Sequence, residues 1–222
     1  DSFRGKFGHL YYIKPISYYR LRFQYRFMGT QVPGAPEWGS LNSGVMVHSQ
    51  SAGSLEINQD FPVSLEAQFL AAPGGQERTT GNICTPGTLV HMGDSLRTEH
   101  CINAVSKSYP AGRWVSALIE VYGDSLVRHI IEGDTVLTYT RPMIGGGFVS
   151  LEHDWKAAHI DNFQYWLDRE NTPLREGHIA LQAESQPVDF RNIELLNLVG
   201  CMDPKSKSYR PWHIKSDGSC QE

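Results

Sequence analysis

The stretch Tyr19-Arg20-Leu21-Arg22-Phe23-Gln24-Tyr25-Arg26-Phe27 alternates apolar and polar side chains without a break. A period of two puts Leu21, Phe23, Tyr25 and Phe27 on one face of an extended chain, and the arginines and the glutamine on the other. A helix would scatter both sets around its axis, so this is a strand with one buried and one wet face. The same period recurs outward from it. Over residues 63–70, Val63, Leu65, Ala67 and Phe69 oppose Ser64, Glu66 and Gln68. Over residues 42–50, Asn42, Gly44, Met46 and His48 share one face, with Val45 and Val47 on the other. Residues 114–122 and 126–131 flank Gly123-Asp124, and Glu132-Gly133-Asp134 turns the chain into 135–140, giving two consecutive hairpins. Residues 177–184 and 187–198 read as the last two strands.

At least eight short strands result, with no strong amphipathic helix; residues 154–170 have room for one short helix. An all-β chain with turn-rich connections is a sandwich or a barrel. Two packed antiparallel sheets are expected, with Leu21, Phe23, Val45, Val47, Leu65 and Ala67 in the core. Arg26, His48 and Glu66 are expected together on an opposite, concave face.

The 222 residues suit one domain over 1–199 and a polar tail over 200–222. With 40% hydrophobic and 20% charged residues, disorder is excluded. No apolar run approaches the ~20 residues of a membrane helix. Twenty basic against 24 acidic side chains, a formal charge of -4, argue against nucleic-acid binding. The chain opens on Asp1 rather than methionine, which suggests processing or truncation.

The four cysteines fall into two local pairs without CxxC spacing, so a zinc ribbon is disfavoured. Disulfides Cys84–Cys101 and Cys201–Cys220 are expected, each closing a loop worth ~3 kcal/mol in the chain-entropy model. Such bonds point to a periplasmic, secreted or cell-surface protein.

The side chains with chemistry to offer lie mainly on strands. Arg26, Asn42, His48, Glu66, Gln68, Gln182 and Glu184 supply a cation, amides, an imidazole and carboxyls. Gly44 places a small residue mid-strand, where close backbone or ligand approach is one cause. Trp38, Tyr109, Trp155 and Trp166 lie in or beside the long connections, as packing residues or as platforms for sugar rings. An oligosaccharide or glycoside is therefore the natural partner of such a face. A retaining glycosidase needs two carboxyls ~5 Å apart. The E-x-D-x-x-E strand pattern of sandwich glucanases reads Glu66, Gln68 and Ala71 here, so a second carboxyl such as Glu184 would have to come from elsewhere. The nine histidines show no metal-ligand spacing.

Six segments in order carry a resemblance. They are Gly8-His9-Leu10-Tyr11-Tyr12, Tyr25-Arg26-Phe27, the seven residues from Asn42 to His48, the ten from Gln59 to Gln68, Cys84-Thr85-Pro86-Gly87-Thr88, and Gln182-Ala183-Glu184-Ser185. Together they resemble the 3-keto-disaccharide hydrolase domain family from about Phe7 to Leu198. The resemblance implies a concanavalin A-like jelly roll and a secreted or periplasmic bacterial sugar enzyme. It also implies early strands before Gly8, so a missing N-terminal segment is expected. The tail is similar to short disulfide-closed repeats of bacterial surface proteins.

The implied chemistry explains the missing carboxylate pair. A ketone at C3 acidifies the C2 hydrogen, so one base can remove it and expel the C1 substituent; water then adds back. Glu66 or His48 is the candidate base. Arg26, Asn42 or a bound divalent metal is the candidate for holding the enolate. Gln68, Gln182 and Glu184 are candidate substrate ligands. A non-catalytic carbohydrate-binding module and a self-associating extracellular structural subunit are the alternative readings.

Overall fold

The structure, a computed structural model, describes residues 4, 6–74, 76–147 and 155–222. Asp1 and Asp154, where two of the expectations above begin, lie outside the described residues. Among the described residues, thirteen strands follow in chain order. The first four are β1 (Gly8–Ile16), β2 (Tyr18–Phe27), β3 (Asn42–Ser49) and β4 (Leu65–Leu70). Four short ones come next: β5 (Asn82–Cys84), β6 (Thr88–Met92), β7 (Ser95–Arg97) and β8 (Cys101–Ile102). The remainder are β9 (Val115–Tyr122), β10 (Leu126–Ile131), β11 (Asp134–Ile144), β12 (Gly177–Ala183) and β13 (Val188–Asn197). A single-turn helix, α1 (Phe163–Leu167), falls inside the segment with room for one.

The strands form two antiparallel sheets, ordered β1-β12-β3-β4-β5-β8 and β13-β2-β9-β10-β11-β6-β7. They pack face to face as a concanavalin A-like jelly roll. Leu21, Phe23, Val45, Val47, Leu65 and Ala67 all lie in the core between the sheets, as the alternation requires. Tyr25 stacks on Phe69 across the gap at 4.4 Å, and its hydroxyl pairs with Thr80 Oγ1 at 2.7 Å. The phenol thus brings its apolar ring into the core without leaving a polar atom unmatched.

The polar face of β2 is the outside of the seven-stranded sheet. Arg22 pairs there with Glu194, while Arg20 and Arg128 share Glu120. These contacts are the cross-strand neighbours set by the β13–β2–β9–β10 register.

Both expected disulfides are present. Cys84 and Cys101 face each other across β5 and β8. The tail after β13 doubles back: Ile214 N–H donates to the Leu198 carbonyl at 2.9 Å, and Gly200 N–H to that of Lys215 at 2.9 Å. Cys201 is fully buried there.

Candidate functional site

The site lies on the face of the six-stranded sheet turned away from the core. Its register fixes the neighbours. Glu66 on β4 stands between Met46 and Cys84, and Gln68 stands between Gly44 and Asn82. A Cβ on Gly44 would fall 2.4 Å from Glu66 Oε1 and 2.6 Å from its Cγ. Glycine is thus required because the Glu66 side chain lies across the β3 backbone. Gln68 accepts from Asn82 Nδ2 at 3.1 Å, which orients its amide.

Glu184 follows the end of β12 and is buried. Its position is set by Ser185, which adopts a positive φ of 77°. The Ser185 carbonyl accepts from Val32 N–H at 2.9 Å, and its hydroxyl accepts from Gln31 Nε2 at 3.1 Å. These bonds draw the connection between β2 and β3 over the sheet. Asn42 Nδ2 donates to the Trp38 backbone carbonyl at 3.2 Å, which ties that connection to the start of β3.

A cleft of about 440 Å³ results, with Glu66, Gln68 and Glu184 inside it and Trp38 and Phe61 at its mouth. The Cys84–Cys101 disulfide forms part of one wall, beside His100. Trp38 is half exposed, and its ring meets those of Phe7 and Phe61. Phe7 stacks on Phe61 at 4.7 Å. This leaves an aromatic lip over a polar floor.

Among the described residues, several buried polar atoms of this face lack a hydrogen-bond partner: Asn42 Oδ1, Glu66 Oε1, Glu184 Oε2 and both amide atoms of Gln182. Such atoms are rare in folded proteins, and their concentration on one face marks a place where a ligand supplies the partners. Burial pushes the Glu66 carboxyl up to about 8. Burial also raises Glu184 well above the ordinary carboxyl range; the Glu66 charge adds to this and the Arg78 guanidinium opposes it. Burial and their mutual repulsion thus disfavour ionising both carboxyls together.

A pH dependence of stability follows. Glu66 binds its proton more firmly in the folded chain than at its ordinary value of 4.5. Its contribution is complete below that value and is lost as pH rises through about 8. Denaturant unfolding from pH 5 to pH 9 should show the wild type losing about 2–4 kcal/mol relative to Glu66→Gln. Parallel curves for the two proteins would show that Glu66 is not perturbed.

Of the residues expected on this face, Asn42, Glu66, Gln68 and Glu184 line the cleft. Gln182 lies on β12 opposite His9, and its carbonyl accepts from Ser43 Oγ at 2.9 Å. Two expectations are corrected. Arg26 belongs to the other sheet; it pairs with Asp189 at 2.6 Å and lies over the Trp114 ring on the outer surface. His48 has a positive φ of 49°, and the β12–β3 register shifts beside it. This bulge reverses the side chain, so Nε2 donates to the Gly123 carbonyl at 3.0 Å, in the β9–β10 turn. Burial there holds the imidazole below its ordinary value.

Among the aromatic candidates, Trp155 and Trp166 belong to a small apolar cluster with Val63, and Tyr109 to the main core; Trp38 alone reaches the cleft. Arg78, Phe61 and His100 also line it, though sequence reading did not single them out. All three sit in connections without periodicity. Among the described residues, the one group with metal-ligand geometry is Cys84, His100 and Cys101. Its two sulfurs are joined to each other and so offer no thiolate.

The two-sheet sandwich thus carries two buried carboxyls in a cleft with an aromatic lip. The chain belongs to the 3-keto-alpha-glucoside-1,2-lyase-like domain family, whose pattern matches residues 1–196. No curated protein sequence matches it. Among solved structures, it is similar to a candidate glycosyl hydrolase from Parabacteroides distasonis. The TM-score is 0.51 at 17% identity, over 89% of each chain, a likeness of fold. It also matches the carbohydrate-binding module CBM66 from Bacillus subtilis with a TM-score of 0.47 at 8% identity, over 89% of this chain and 90% of that one.

Proposed function

We propose that the cleft binds a 3-keto-glycoside and cleaves it by elimination. The observation that carries this reading is the Glu66–Glu184 pair: two buried carboxyls in one cleft, each with an unpartnered oxygen. Burial makes an ionised carboxyl a stronger base and makes a protonated one available as an acid near neutral pH. Glu66, on the rigid centre of β4, is assigned as the base. It takes the C2 hydrogen, and the C–H electron pair becomes an enolate with the C3 carbonyl. The enolate collapses to a C1–C2 double bond and expels the C1 oxygen, which takes a proton from Glu184. Water then adds across the enone, giving the free 3-keto sugar and an alcohol.

The aromatic lip of Trp38 and Phe61 suits the apolar face of a sugar or aglycone at the mouth. The two disulfides support an extracytoplasmic setting.

The test is incubation in D₂O with a 3-keto-disaccharide and with its unoxidised parent. Cleavage of the keto compound alone, with deuterium at C2 of the product, is expected. Cleavage with the original C2 hydrogen retained would overturn elimination and point to displacement at C1. Binding without cleavage of either compound would mark a carbohydrate-binding module.

A further inference from the structure

An elimination through an enolate needs a fixed positive charge or donor set where the oxygen charge develops. The arginine expected to serve, Arg26, faces outward on the other sheet and cannot. Among the described residues that line the cleft, Arg78 is the one lysine or arginine. It shares the cleft with two carboxyls whose environments resist a second negative charge. As Glu66 takes the C2 proton its negative charge passes to the enolate oxygen, so the position of the cleft's cation decides where that charge can settle.

Arg78 is built to stay in place. Its backbone N–H donates to Ser108 Oγ at 3.0 Å. Its Nη1 donates to the Ser40 carbonyl at 2.8 Å, at the entrance of β3. Three residues on, Gly81 N–H donates to the Gln68 carbonyl at 2.9 Å and ties the segment to β4, the strand that carries Glu66. The guanidinium is half buried, and its field acts on Glu184. With one of its five N–H donors used on Ser40, the fork keeps others for an oxygen in the cleft.

Resting on the elimination reading above, we infer that Arg78 is a catalytic residue: it holds the C3 oxygen of the keto sugar and stabilises the enolate as the C2 proton leaves. The proton goes to Glu66, and the electron pair moves onto the oxygen facing Arg78. It returns when the C1–O bond breaks. The substrate class narrows accordingly. A sugar with a hydroxyl at C3 cannot develop that charge, so Arg78 favours the oxidised ring in the transition state, where the two rings differ most.

Arg78→Gln and Arg78→Lys would be compared with wild type in D₂O on a 3-keto-disaccharide. Turnover and C2 deuterium incorporation would be followed across pH, and binding of the unoxidised parent measured by calorimetry. Arg78→Gln should lower the plateau turnover and the exchange rate together by about 10²–10³-fold, the usual cost of one oxyanion donor. KM and affinity for the parent sugar should change little, and Arg78→Lys should recover part of the rate. Losing the cation should also move the Glu184-dependent limb of the pH profile upward, since the guanidinium opposes the rise in that carboxyl. A profile that moves while the plateau stays at the wild-type rate would overturn the proposal and leave Arg78 acting only through Glu184. An equal loss of parent-sugar binding would overturn it too, as uniform binding rather than catalysis. A wild type that cleaves without C2 exchange would refute the elimination beneath it, an outcome read before either variant.

Discussion

Glu66→Gln should slow cleavage of a 3-keto-glycoside by about 10²–10⁴-fold, the range for removing a positioned general base. The amide has the shape of the carboxyl and fits the hollow over Gly44 in the same way. It still hydrogen-bonds a hydroxyl, so the sugar should bind with nearly unchanged affinity. What it lacks is basicity. The loss should therefore appear in kcat, and C2 deuterium exchange should fall with it. Glu184→Gln is the companion. If Glu184 gives its proton to the leaving oxygen, a substrate with a more acidic leaving group should restore much of the lost rate in that variant, but not in Glu66→Gln. A Glu66→Gln variant within tenfold of wild type would remove Glu66 as the base.

The largest effect on stability is expected from Gly177→Ala. Gly177 opens β12 where that strand crosses the bulge in β3. An added Cβ would meet the His48 carbonyl carbon at 2.4 Å, its Cα at 2.6 Å and its oxygen at 2.8 Å. These are backbone atoms of a buried strand and cannot rotate away. Relief requires the bulge to open or β12 to move off β3. The first would pull His48 from the Gly123 carbonyl, and the second would shift Gln182 and Glu184 together. Overpacking of this kind costs about 3 kcal/mol. For a chain of this size the midpoint should fall by roughly 6–12 °C. Gly53→Ala is the control, because no described residue lies within 4 Å of a Cβ there. Equal melting temperatures for the two variants would show that the β3–β12 approach tolerates a methyl group.

How much of this was legible in the sequence depends on what a period of two can encode. Alternation reports which side chains share a face, and it placed Leu21, Phe23, Val45, Val47, Leu65 and Ala67 in the core. It does not report which sheet a strand joins. Arg26 and Glu66 each face away from the core, yet from opposite sides of the sandwich, because β2 and β4 lie in different sheets. Nor does it survive a bulge. One residue with positive φ reversed His48 while Asn42 and Gly44 kept their face. The strands that alternation missed, β5 to β8, span two to five residues each, too few for a period to register. Strand β1 was missed for another reason. It is an edge strand with Leu10, Tyr12 and Ile13 exposed, so both of its faces read as apolar. Arg78 entered the cleft from a connection whose path is set by Ser108, Ser40 and Gln68, contacts distant in sequence.

The closed loop of the tail has a mechanical consequence. Cys201 is buried beside the end of β13, and Cys220 is bonded to it. A pull on the chain beyond Cys220 is therefore carried through sulfur directly to the Cys201 backbone. Residues 202–219 bear none of that tension and cannot be peeled off in sequence. The load arrives at the end of β13, which is joined to β2 by antiparallel pairs from Val188 to Asn197. Pulled along its length, such a ladder must shear many bonds at once rather than unzip one by one. With the bond intact, a pull on Gln221 or Glu222 reaches the sandwich; once it is reduced, residues 202–219 become a slack tether.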